Sequence, residues 1–75
     1  METLDLHNTR HSDVEEVVSR FLNWAIPPCK IITGNSHEMK SIVELVVKRY
    51  NYFCYNESAY NHGCLIVVEF DIQNI

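Results

Sequence analysis

IITGNSHEMKSIVELVVKRY, residues 31–50, is the stretch on which the fold turns. Lys30-Ile31-Ile32-Thr33 is short and β-branched, which predicts a strand. Gly34 gives the backbone freedom that a tight turn requires. Asn35 or Ser36 then caps a helix, and Glu38 stands three residues after Asn35, where a capping box places its acid. Met39, Ile42, Val43, Val46, Val47 and Tyr50 follow at helical spacing as one apolar stripe. Lys48 and Arg49 fall in the last turn, where a positive charge gains about 0.3–1 kcal/mol from the helix dipole. Strand, turn and helix start together point backbone N–H groups outward, so the turn is a candidate anion cradle.

Upstream, Leu4-Asp5-Leu6-His7 alternates apolar and polar. That period predicts a strand with Leu4 and Leu6 buried and Asp5 and His7 together on the other face. Ser12-Asp13-Val14-Glu15 reads as a capping box, and Val14, Val17, Val18, Phe21 and Leu22 carry a helix to about Trp24. Pro27-Pro28 stops it. Downstream, Tyr52–Tyr55 reads as a third strand and 56–63 as a polar loop. Leu65–Val68 is the longest continuous apolar run, which suits a central strand. The order β-α-β-α-β-β predicts an α/β (α+β) two-layer sandwich: a four-stranded mixed sheet with two helices on one face. It forms a single domain over residues 1–75, with a core from about 4 to 70.

Crossovers of this kind leave their strands parallel, so both helix starts fall at one edge of the sheet. If the last two strands form a hairpin, its loop falls there too. That edge would collect His7, Asn8, Arg10, His11 and Ser12, then Gly34, Asn35, Ser36 and His37, then Asn56, Tyr60, Asn61, His62 and Gly63. In open α/β sheets this is the edge where ligands bind.

Composition narrows the classes. The chain is 47% apolar and 21% charged, which is globular and not disordered. No apolar run reaches the roughly 20 residues of a bilayer span, and the first residues lack the apolar core of a signal peptide. A cytoplasmic location without membrane attachment is expected. The cysteines, Cys29, Cys54 and Cys64, are odd in number and lack a Cys-x-x-Cys spacing, so they read as buried thiols. Net charge is −4, yet residues 30–49 carry Lys30, Lys40, Lys48 and Arg49 against Glu38 and Glu44. The Gly turn therefore lies in the one locally basic part.

Among groups with chemistry, Asp5 and His7 could pair, the carboxylate fixing the imidazole tautomer as a general base requires. The competing reading is a surface acid beside a strand-end histidine. The Thr33–His37 turn could hold a phosphate through its N–H groups and the Thr33 and Ser36 hydroxyls, or be an ordinary β-α turn. The histidines do not show the three or four converging ligands of a zinc site. Most of the tyrosines read as core or rim residues, with Tyr55 and Tyr60 near the proposed edge.

With those residues in place, the chain resembles a small MutS-related (Smr) domain from Leu4 to Val68. Leu4-Asp5-Leu6-His7 is similar to the family's Leu-Asp-x-His signature. Ile32-Thr33-Gly34-Asn35-Ser36 lies where the family has His/Thr-Gly-x-Gly. Asn61-His62-Gly63-Cys64-Leu65-Ile66-Val67 resembles its approach to the last strand. The resemblance implies the fold of the C-terminal domain of a bacterial translation initiation factor, with the last strand inserted antiparallel beside the second. It also implies cleavage or binding of nucleic acid, with Asp5, His7, Thr33 and Gly34 as the residues tied to it. The chain departs from the pattern at Asn8 and Ser36, which stand where the family has glycine.

The expected function is a nucleic-acid endonuclease acting on RNA or DNA. In it Asp5 and His7 are catalytic, and Arg10, Thr33, Gly34, Asn35, Ser36, His37 and Lys40 contact phosphate. The alternative is a non-catalytic module that binds nucleic acid or a ribosome-like surface through the same edge. No resident cofactor or metal is implied; Mg²⁺ is the divalent ion such cleavage would draw on. A protein partner pairing with Phe70–Ile75 has no positive signal.

Overall fold

The computed structural model describes residues 1–60 and 62–71. Its elements are β1 (Thr3–Asp5), α1 (His11–Trp24), β2 (Cys29–Ile32), α2 (His37–Arg49), β3 (Phe53–Asn56) and β4 (Cys64–Val68). They build one four-stranded sheet in the order β1-β2-β4-β3. β1 runs parallel to β2, with Leu4 beside Ile31. β4 is antiparallel to both neighbours, with Ile31 opposite Leu65 and Tyr55 opposite Ile66. The longest apolar run is thus the central strand inserted between β2 and β3, as its sequence suggested.

Alternation along each strand decides the faces. Cys29 and Ile31 of β2, with Leu65 and Val67 of β4, join Leu6 and the helix residues Val14, Val18, Phe21, Leu22, Met39, Val43, Val46 and Val47 in one buried cluster. Leu4 and Cys54 pack against it from the edge strands. Both helices therefore cover the same face. Tyr50 ties them at their far end: its hydroxyl lies 2.9 Å from the Ser19 carbonyl and 2.7 Å from Asn23 Oδ1. On the open face Lys30 and Glu57 form an ion pair across β4. Ile66, opposite Lys30 in register, stays buried on that face.

Two local expectations change. β1 ends at Asp5, and His7 enters a turn closed by the Thr9 amide on the Leu6 carbonyl at 3.0 Å. Asn8 holds φ +68°, a left-handed backbone that asparagine tolerates better than most residues. This turn delivers the chain into helical phase early. α1 begins at His11 with Arg10 at the cap and no side-chain cap bond, so the Ser12–Glu15 box does not form. α2 starts as the sequence indicated: Ser36 is the cap, its hydroxyl accepting the Met39 amide at 3.1 Å.

No disulfide joins the three cysteines. Burial, reinforced by the nearby Glu44 carboxylate, pushes the Cys54 thiol up to about 11. The folded chain then holds that proton more tightly than the unfolded one. Its stabilisation is complete below the ordinary thiol range and is lost as pH rises from about 9 to 11. Urea midpoints measured across that range should fall for the parent and fall less for Cys54→Ala.

Candidate functional site

Three loops meet beyond the carboxyl ends of β1 and β2. The Thr33 and Gly34 amides donate to the Gly63 carbonyl at 2.8 and 3.1 Å, fastening the β3–β4 loop to the β2–α2 turn. His11, the first residue of α1, reaches both Ser36 and Glu38 at the start of α2. The edge inferred from topology is thus assembled, with both helix N-termini side by side. Asn56, the last residue of β3, has its side-chain amide nitrogen 3.2 Å from His62 Nδ1, and in the loop that follows Tyr60 stands almost wholly in solvent at 97% exposure. Asn61 and the end of the Phe70–Ile75 segment lie outside the described residues.

Each expected site residue has a definite place. Asp5 accepts from the His7 backbone amide at 2.8 Å, and that contact is to the main chain and not to the imidazole. The carboxylate closes the turn after β1, so it holds the loop where a ring-orienting role was expected. Thr33 is 6% exposed, and its hydroxyl donates to the Gly34 and Gly63 carbonyls at 2.9 and 3.4 Å. It braces the turn from inside and does not face a ligand. Gly34 adopts φ +67°, with open space where a Cβ would stand. Its amide is committed to Gly63, so its contribution is the left-handed turn. Asn35 is exposed in that turn, and Ser36 is half-buried at the cap.

The outward donors come one step later. The Ser36, His37 and Glu38 amides lead α2 and have no acceptor among the described residues, as helix geometry leaves the first turn. Charge adds to this. Arg20, Lys30 and Arg49 are paired with Glu16, Glu57 and Glu15. Arg10, at the α1 cap, and Lys40, in the first turns of α2, have no carboxylate partner among the described residues. Both stand at the joined helix starts.

The histidine with a carboxylate partner is His11. Its Nδ1 lies 3.1 Å from Glu38 Oε2, and its Nε2 lies 3.5 Å from Ser36 Oγ. Sequence spacing carried no signal for this pair, since 27 positions separate its members. Only the parallel docking of α1 and α2 brings their first turns together. Among the described residues no three His, Cys, Asp or Glu side chains converge as a metal site. No helix is long and apolar enough to cross a membrane. The site is an open rim; an apolar hollow lined by Pro27, Pro28, Val68, Glu69 and Phe70 lies at the opposite end of β2.

No protein-family model, curated protein or solved structure matches the chain.

Proposed function

We propose that the edge formed by the two helix starts binds the phosphate backbone of nucleic acid, as an Smr-like domain would. The observation that carries this reading is the placement of Arg10 and Lys40. They are cations without carboxylate partners among the described residues, beside unsatisfied α2 amides, whereas Lys48, which also has none among them, lies in the last turn of α2 away from this edge. Positive side chains and helix N-terminal amides are the two elements of phosphate recognition. Asn35, Ser36 and His37 line the same rim, and the Gly34 turn sets its shape. Binding is moderate and salt-sensitive, because few charges act against a net charge of −4. A cytoplasmic location suits this role and the unbridged thiols.

Phosphodiester cleavage is the second reading, favoured by one observation: an exposed histidine, His11, holding a carboxylate on one ring nitrogen. His7 lacks that partner, because Asp5 is spent on the turn.

Fluorescence anisotropy with single-stranded RNA, hairpin RNA and duplex DNA at about 20 and 200 mM salt tests the binding reading. Saturable binding that weakens with salt supports it. No binding of any of the three at low salt overturns it.

A further inference from the structure

We infer that the uncovered face of the sheet is a dimer interface, closed by a second copy of this chain around the Lys30–Glu57 ion pair. The inference is independent of the nucleic-acid reading.

β4 is apolar on both sides. Leu65 and Val67 face the helices, whereas Ile66 and Val68 alternate with them and face away. A strand with water on one side alternates apolar with polar, and a continuous apolar run belongs to a strand covered on both. The helices supply one cover, and no element among the described residues supplies the other. Neighbouring strands extend the apolar surface. Alternation puts Ile32 of β2 and Phe53 and Tyr55 of β3 on the same face, with Phe53 opposite Val68 and Tyr55 opposite Ile66 in register. Phe53 is 43% exposed. Beyond Val68 the surface runs into the hollow lined by Pro27, Pro28 and Phe70.

Charge and size both select a second copy as the cover. The Lys30 and Glu57 side chains meet across β4 and are 27% and 33% exposed. The pair is a dipole lying on the face. A two-fold axis in the interface, at right angles to that dipole, sets each ammonium against the other copy's carboxylate. The face is thus complementary to itself, as an isologous contact requires. The hydrocarbon of a bilayer offers the pair no counter-charge, and burying it there is costly. The molecule measures 35 × 29 × 20 Å. A helix layer on a sheet accounts for the shortest dimension, which leaves the two longer ones to the sheet face. That is room for the roughly 800 Å² per partner of a standard interface. Both helix layers end up on the outside of such a dimer, so each helix-start edge stays open.

Sedimentation velocity on the full chain from about 1 to 200 μM reads the association, since interfaces of this size reach micromolar affinity or better. The mass should double reversibly and go no further, because an isologous contact closes at two. Phe53→Asp should weaken the dimer by about 10-fold or more, and Leu45→Asp, exposed on α2, should not. Lys30→Glu and Glu57→Lys should each weaken it by about 100-fold or more, since like charges then meet across the axis. Mixed in equal amounts, those two variants should pair with each other near the parent affinity, one copy bringing two acids and the other two cations. Circular dichroism confirms that each variant is folded; should a charge variant not fold, Phe53→Asp against Leu45→Asp decides. A parent that stays monomeric throughout overturns the inference, including one that instead co-floats with phosphatidylcholine vesicles. Growth beyond two, loss with Leu45→Asp in place of Phe53→Asp, or folded charge variants that fail to pair on mixing overturn it as well.

Discussion

Arg10→Glu combined with Lys40→Glu is expected to weaken RNA and DNA binding by about 100-fold or more at low salt. A net charge-assisted contact contributes about 1.5–3 kcal/mol, and two are removed at once. Both residues lie at the helix starts without a carboxylate partner among the described residues, so no ion pair is broken by the change. The fold should hold, since Arg10 is exposed and Lys40 is only half-buried. The more specific signature is the salt slope. Each lost phosphate contact should reduce the slope of log K against log salt by about 1. Reversal of Lys48, at the last turn of α2, is the comparison: it should leave the slope near the parent value. Equal losses from Lys48→Glu and from the helix-start pair would mean that diffuse charge, and not this edge, governs binding.

The second large effect concerns the fold that holds the edge. Ile31→Ala should destabilise by about 2–5 kcal/mol, the range for a buried Ile cut to Ala. Ile31 is fully buried, with Leu4 on one side and Leu65 on the other in register. Those neighbours are fixed by ladder hydrogen bonds, so the vacated space cannot close easily. For a domain of this size each kcal/mol lowers the melting temperature by about 4–8 °C, so a fall of at least about 8 °C should appear in a calorimetric scan. Ile32→Ala is the control. Its side chain lies on the open face and is only half-buried, so the cost should be well below that of Ile31→Ala. A reversed order would mean that the helices cover the other face.

Element identities were legible because the patterns were strong and local. The stripe from Met39 to Tyr50 named α2, and the run 65–68 named the central strand. The edge was legible as well, because parallel connections between β1, β2 and their helices place both helix starts on one side. Boundaries after β1 were not. Leu6 kept the expected burial, but His7 left the strand, because Asp5 turned its carboxylate onto the next turn's amide. The same shift moved the cap of α1 from Ser12 to Arg10. Alternation alone cannot distinguish a strand residue from a turn residue that follows it in phase.

Site residues divide in the same way. Gly34 could be assigned from sequence, since a tight turn needed the left-handed backbone it adopts. Thr33 could not, because the direction of its hydroxyl depends on a carbonyl 30 residues away, that of Gly63. His11 and Glu38 could not either, since their contact exists only when two helices dock.

By itself, then, the sequence determined the order of elements, the face that β1 buries, and the collection of polar loops at one edge. These follow from hydrophobic period and chain connectivity, which are local. Tertiary structure alone decided which side chains at that edge face inward, which cations lack a carboxylate partner, and which histidine meets an acid. Those depend on distances between segments far apart in the chain, and side-chain hydrogen bonds are settled over a few ångströms.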